Sequence, residues 1–175
     1  DGFSDVVLGS VSLSSQASSV WVYPGSMGGI SQSPSQNIQD STAGFGHTSS
    51  GADFNGDGFS DLVVGAPDEI QGSALVYMGS SSGLSSSASL LLTRALAGST
   101  ETDFGMEMDT GDLNGDGFQD LILGIPAWND WTGAVEIYLG SSTGLPASAS
   151  QELAETSTYP YFGWKVASGG DMDGD

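Results

Sequence analysis

Nine residues constrain this chain more than any others: Asp53-Phe54-Asn55-Gly56-Asp57-Gly58-Phe59-Ser60-Asp61, followed at once by Leu62-Val63-Val64-Gly65-Ala66-Pro67. Oxygen-bearing side chains stand at loop positions one, three, five and nine, namely Asp53, Asn55, Asp57 and Asp61. That alternation suits a hard cation such as Ca2+, which takes about 6–8 oxygen ligands at roughly 2.3–2.6 Å. Gly56 and Gly58 let the chain fold back on itself, because only glycine enters positive φ without a steric cost. The apolar run after Asp61 is short, β-branched and stopped by Gly-Ala-Pro, which predicts a buried strand. A metal-binding turn feeding a strand is the first expectation.

The pattern recurs. Asp112-Leu113-Asn114-Gly115-Asp116-Gly117-Phe118-Gln119-Asp120 repeats the loop, and Leu121-Ile122-Leu123-Gly124-Ile125-Pro126 repeats the strand. Asp171-Met172-Asp173-Gly174-Asp175 matches the first five loop positions, and Asp1-Gly2-Phe3-Ser4-Asp5 matches the last five, leading into Val6-Val7-Leu8-Gly9. Asp53 and Asp112 are 59 positions apart, as are Asp112 and Asp171, while Asp1 and Asp57 are 56 apart. A fixed period of this size signals a solenoid, propeller or array. The expected units are 1–52, 53–111 and 112–170, with 171–175 opening a further one, all within a single segment 1–175.

Each unit carries the same landmarks in the same order. A Phe-Gly pair comes first, at Phe45-Gly46, Phe104-Gly105 and Phe162-Gly163, and short strands are expected after it, such as His47–Ser50 and Trp164–Ala167. The loop and its apolar strand follow. A further strand is expected at Val20–Tyr23, Ala74–Tyr77 and Ala134–Tyr138, and a weaker one at Gln36–Ile38, Ser89–Thr93 and Gln151–Leu153. Four short antiparallel strands per unit are what a β-propeller blade requires. A single blade cannot bury both faces and needs neighbours stacked against it, so the post-loop strands are apolar on both sides.

Charge narrows the partners. Lys and Arg total 2 against 22 Asp and Glu, a formal net charge of −20. Such a surface repels nucleic acid and anionic membranes, and divalent cations would relieve its self-repulsion. The acids sit in ordered motifs beside apolar strands, which favours folding over disorder. The chain has no cysteine, which excludes disulfides and thiolate metal sites and fits a secreted bacterial protein as well as a cytosolic one. No apolar run approaches the roughly 18 residues of a membrane span, so membrane insertion is not expected.

Phe-Gly, then Asp-x-Asn-Gly-Asp-Gly-Phe-x-Asp-Leu, then Gly-Ala-Pro resembles the FG-GAP repeat of integrin α-subunit propellers and their bacterial relatives. The resemblance covers essentially the whole chain through three linked landmarks per unit. It implies an all-β propeller of four-stranded blades whose Ca2+ loops join the first and second strands of a blade on one rim. Carried over by position, it implies ligation by the side chains of Asp53, Asn55, Asp57 and Asp61 with the Phe59 carbonyl. The next unit supplies Asp112, Asn114, Asp116 and Asp120 with the Phe118 carbonyl. It further implies a non-enzymatic scaffold or adhesion-type binding module, extracellular or at the cell surface.

Family propellers usually have seven blades, and this chain has about three. Rejoining its ends within one chain would make three blades, below the typical 4–8. Two chains joined head to tail would make six, each seam blade taking one strand from one chain and three from the other. A homodimeric six-bladed ring is therefore expected, which also removes exposed sheet edges. Its seam sites would use Asp171, Asp173, Asp175 or Asp1, and Asp5, with the Phe3 carbonyl.

Other readings compete at several positions. An EF-hand needs a bidentate Glu at loop position twelve, where this chain has Val64 and Leu123. Plain Asx-turns without metal would leave clustered acids repelling one another. Gly79-Ser80-Ser81-Ser82-Gly83 and the Gly140 counterpart spell a nucleophile elbow, but no helix follows, and a serine-rich turn is the simpler reading. Asp103-Phe104-Gly105 is the Phe-Gly landmark with an acid before it. His47 is expected in a strand near the hub. Trp128 and Trp131 suit either an exposed patch for a protein or glycan ligand, or packing between blades. Glu101, Asp103, Glu107 and Asp109 read as a solvated acidic face. The rival function is a catalytic propeller acting on polysaccharide as a lyase or hydrolase.

Overall fold

The computed structural model describes residues 2–12, 17–67, 71–94, 103–155 and 160–172. It contains strands β1 (Val6–Ser10), β2 (Ser18–Tyr23), β3 (Gln36–Asp40), β4 (Thr48–Ala52), β5 (Asp61–Ala66), β6 (Ser73–Tyr77), β7 (Leu90–Leu92), β8 (Glu107–Gly111), β9 (Asp120–Ile125), β10 (Ala134–Tyr138) and β11 (Gln151–Ala154). A short helical turn, α1 (Trp128–Trp131), precedes β10. The strands form three antiparallel sheets, ordered β1-β2-β3, β4-β5-β6-β7 and β8-β9-β10-β11. These are the blades of a β-propeller, each a meander in chain order.

Every residue of β5 and β9 is buried. The pleat of β5 divides its side chains between two interfaces, as a period of two demands. Val63 joins Phe54, Ala74, Val76 and Leu92 in a cluster with Met108, Leu121, Leu123, Ile125 and Tyr138 of the third blade. Leu62, Val64, Ala66, Leu75 and Tyr77 face the first blade, meeting Val20, Ile38 and Phe45. The Phe45 and Tyr77 rings pack edge to face with centroids 6.3 Å apart, a favoured aromatic geometry. Middle blades are therefore apolar on both faces because each face is an interface.

The recurring Phe-Gly and Gly-Ala-Pro landmarks lock neighbouring blades. A Cβ added at Gly65 would sit 2.0 Å from the Gly105 carbonyl oxygen, one at Gly124 the same distance from that of Gly163, and one at Gly9 from that of Gly46. Each strand glycine thus accepts the backbone of the next unit's Phe-Gly pair. The landmarks recur together because they touch.

Three expectations need correction. Trp164–Ala167 forms no strand, since no described segment pairs with it. β1 is almost wholly exposed, unlike β5 and β9, and among the described residues only β2 pairs with it. His47 lies in an exposed turn whose amide donates to the Gly44 carbonyl (3.0 Å), ahead of β4 rather than within it.

Candidate metal centres

The loop between β4 and β5 is folded by its own acids. Asp53 Oδ1 accepts from the amides of Gly56 (2.7 Å) and Asp57 (3.2 Å), and Oδ2 accepts from Gly58 N–H (2.8 Å). Asn55 Oδ1 accepts from Asp57 N–H (2.9 Å), while Asn55 Nδ2 donates to Asp57 Oδ2 (2.9 Å). Asp57 Oδ1 accepts from Phe59 N–H (2.9 Å). Side-chain oxygens satisfying nearby amides are how Asp and Asn stabilise tight turns.

Asp61 does something different. It is buried at the head of β5, where Oδ2 accepts from Phe54 N–H (3.1 Å) and Oδ1 from Gly79 N–H (2.8 Å). It ties the start of the loop to the turn after β6. Burial raises its carboxyl above the ordinary value; the two amide bonds lower it, and repulsion from Asp57 and Asp53 raises it further. The negative charge on this loop is thus crowded, which a cation would relieve.

The loop between β8 and β9 reproduces the pattern bond for bond. Asp112 accepts from Gly115 (2.8 Å), Asp116 (3.2 Å) and Gly117 (3.0 Å), and Asn114 and Asp116 exchange the same pair of bonds. Asp120 accepts from Leu113 N–H (2.8 Å) and Gly140 N–H (2.8 Å). In the first unit Asp5 keeps the equivalent tie, accepting from Gly25 N–H at 2.9 Å. Asp1, Asp173 and Asp175 lie outside the described residues; Asp171 and Phe3 are exposed.

Among the described residues, no three acidic or histidine side chains converge on a shared metal position. The donor set nevertheless fits a hard divalent ion. All donors are oxygens, three of them carboxylates, and an ionised carboxylate offers about four acceptor sites. Asp53 uses three on amides, while Asp57 and Asp61 use two each. Acceptor capacity remains on all three.

The two loops are also coupled to each other. Gln119 N–H donates to the Asp53 carbonyl and Ser141 N–H to the Phe54 carbonyl, both at 3.2 Å. Phe54 is fully buried beneath the next blade, and the Phe118 ring covers Gly56 so closely that a Cβ there would sit 2.8 Å from it. Leu113, the counterpart of Phe54, is 43% exposed.

The remaining marked residues sort by what they touch. Ser80 and Ser141 Oγ donate to the Gly83 (2.8 Å) and Gly144 (3.0 Å) carbonyls, closing turns. Trp128 packs between blades beneath Arg94, whose guanidinium carbon is 3.7 Å from the ring centroid. Trp131 is exposed and edge-packed on Tyr161, which in turn packs on Trp164, each pair 5.6 Å apart. Of the acidic face, Glu107 pairs with Lys165 (2.6 Å), Asp109 accepts from Ser168 N–H (2.7 Å), and Glu101 lies outside the described residues.

One constellation escaped the sequence reading. Arg94, just after β7, reaches the third blade, where Nη1 meets Glu136 Oε1 at 2.5 Å and Nη2 meets Glu152 Oε2 at 2.9 Å. Tyr138 donates its hydroxyl to Glu136 Oε2 (2.5 Å), and burial together with Glu136 pushes the Tyr138 phenol far up. The only hint was scarcity: two basic residues among 22 acids had to find partners.

Comparison with known proteins agrees with this architecture. The FG-GAP repeat model matches residues 45–77 and 104–138. Human integrin alpha-7 is 39% identical over 141 residues, covering 76% of this chain and 11% of that protein. Xenopus laevis integrin alpha-4 is 38% identical over 141 residues (74% of this chain, 13% of that protein), and Drosophila melanogaster integrin alpha-PS5 is 35% identical over 141 residues (74% and 14%). The chain spans roughly an eighth of the length of these curated relatives.

Proposed function

Taking as premise that the chain belongs to the FG-GAP repeat, integrin α-like β-propellers, we propose that it is a non-enzymatic, Ca2+-stabilised binding module of the adhesion type. Its setting is the cell surface or the secreted space; among the described residues no helix is long and apolar enough to cross a membrane. Calcium would be held by Asp53, Asn55, Asp57 and Asp61 with the Phe59 carbonyl, and by Asp112, Asn114, Asp116 and Asp120 with the Phe118 carbonyl. A bound ion would neutralise crowded carboxylates and add folding free energy, because the site is absent from the unfolded chain.

The observation that carries this reading is the bond-for-bond identity of two oxygen-lined loops, interlocked through the Asp53 and Phe54 carbonyls. Asp53 and Asp112 fold each loop through three amide bonds, and Asp61 and Asp120 anchor it to the sheet. Binding to one loop should therefore stiffen the contact between blades as well as the loop itself.

The test is thermal melting with calcium and then with a chelator. A ligand at about 100 times its Kd stabilises by roughly 2.7 kcal/mol per independent site. Chelation should lower the Tm, and Asp53→Asn with Asp112→Asn should abolish the calcium response. An unchanged Tm on chelation overturns the reading.

A further inference from the structure

The glycine that the loop between β4 and β5 needs is also the one that makes its neighbour reactive. Gly56 has a φ of 71°, a conformation that residues with a side chain rarely adopt, so the turn calls for glycine there. It follows Asn55, and a glycine in that place leaves the amide nitrogen between them unhindered by any Cβ. That nitrogen can attack the asparagine carboxamide. The new bond joins Gly56 N to Asn55 Cγ, the Cγ–Nδ2 bond breaks, and Nδ2 leaves as ammonia with the amide proton. Water then opens the resulting succinimide. Attack at Cγ gives aspartate at position 55, whereas attack at the main-chain carbonyl of that residue gives isoaspartate, with the chain rerouted through Cβ.

The folded loop opposes that ring closure. Gly56 N–H donates to Asp53 Oδ1 at 2.7 Å, so the proton that must leave is held by a carboxylate, and an anionic nitrogen would form beside its negative charge. Asn55 Oδ1 accepts from Asp57 N–H (2.9 Å) and Nδ2 donates to Asp57 Oδ2 (2.9 Å), which commits both ends of the carboxamide to residue 57 rather than to the Gly56 nitrogen. A further contact comes from the next blade. Phe118, in the loop between β8 and β9, lays its ring on Gly56: a Cβ there would sit 2.8 Å from Cε1 and 3.2 Å from Cδ1, and the nearest atoms all belong to that ring. Bringing Asn55 Cγ over the Gly56 nitrogen requires this peptide to rotate, and a ring packed against it leaves little room. Asn114 and Gly115 share the same bonds within their own loop, so those bonds are common to both units and the ring over Gly56 is what the neighbouring blade adds.

We propose that Asn55 is a deamidation site that the following blade keeps shut through Phe118, so that its covalent state records whether the two blades stay in contact. Because ammonia is lost, even a brief opening leaves a permanent mark. Isoaspartate adds an atom to the main chain inside the stretch spanned by the bonds from Asp53 to the Gly56, Asp57 and Gly58 amides, and those bonds depend on that spacing. Aspartate keeps the spacing but exchanges the Asn55 Nδ2 donor for an oxygen facing Asp57 Oδ2, so repulsion replaces a hydrogen bond. That product has the residue pattern of Asp171-Met172-Asp173-Gly174-Asp175, where the third position is already acidic.

Peptide mass spectrometry of Asn55 over time in mildly alkaline buffer tests this, with a chelator present throughout so that the result does not depend on metal binding. In the unaltered protein Asn55 should react at least about tenfold more slowly folded than unfolded in urea, since reaction through a locally opened state is slowed by the opening equilibrium. Phe118→Ala should bring the rate most of the way to the unfolded value while the β circular dichroism is kept, and Phe118→Leu, a smaller cover, should fall between. Phe59→Ala removes the counterpart ring from the loop of Asn55 itself and should leave the rate near that of the unaltered protein. Equal folded and unfolded rates, no acceleration in either Phe118 variant, or equal acceleration by Phe59→Ala each overturns the proposal. If Phe118→Ala loses its β circular dichroism, Phe118→Leu and the urea comparison decide in its place.

Discussion

Arg94→Ala tests what holds the second and third blades together. The Arg94 and Glu136 side chains are only 10% and 9% exposed, and the guanidinium also covers Trp128 and reaches Glu152. Removing it leaves the Glu136 carboxylate buried, with the Tyr138 hydroxyl as its remaining side-chain partner among the described residues. Breaking a buried pair from one side costs about 3–5 kcal/mol, mostly the penalty of the stranded charge. The stacking on Trp128 adds on the order of 1 kcal/mol, whereas the exposed half of the pair at Glu152 adds less than about 1. A loss of about 5 kcal/mol is expected, or a Tm drop of about 10–20 °C for a chain of this size. Melting by circular dichroism measures it. Arg94→Ala/Glu136→Gln should recover most of the loss at neutral pH. A Tm change below about 2 °C, or a deficit that ignores the Glu136→Gln partner change, refutes the reasoning.

Gly65→Ala should destabilise by at least about 1–3 kcal/mol in denaturant melts, since its Cβ would meet a backbone carbonyl that cannot swing aside. Phe54→Ala should cost about 3–5 kcal/mol, because the ring is fully buried under the third blade. The Leu113→Ala counterpart, made at a half-open site, should cost much less. Burial raises the Tyr77 phenol to about 12, so its contribution is intact below pH 10 and is lost as pH climbs toward 12. Tyr77→Phe should flatten that alkaline limb by roughly 2.7 kcal/mol, and an unchanged limb would count against the assignment.

Much of this architecture was legible because repetition amplifies local signals. Asp, Asn and Gly at alternating loop positions fold a turn through bonds spanning two to five residues, so Asp53-to-Gly58 and Asp112-to-Gly117 could be read directly from spacing. β5 and β9 announced themselves as two-faced strands by lacking any polar alternation. Other features depended on what lies opposite in space. Val6-Val7-Leu8 is as apolar as Leu62-Val63-Val64, yet it is exposed, because burial belongs to the interface and not to the strand. Trp128 and Trp131 are three residues apart, yet one is packed under Arg94 and the other faces solvent.

The sequence by itself determined the turns, the strands and their repeat, since hydrogen bonding over a few residues and side-chain period need no distant partner. Only the tertiary structure decided the Arg94–Glu136 clamp and the carbonyl that forbids a side chain at Gly65. Each of those joins residues at least 40 positions apart, and local chemistry carries no information about which surfaces meet.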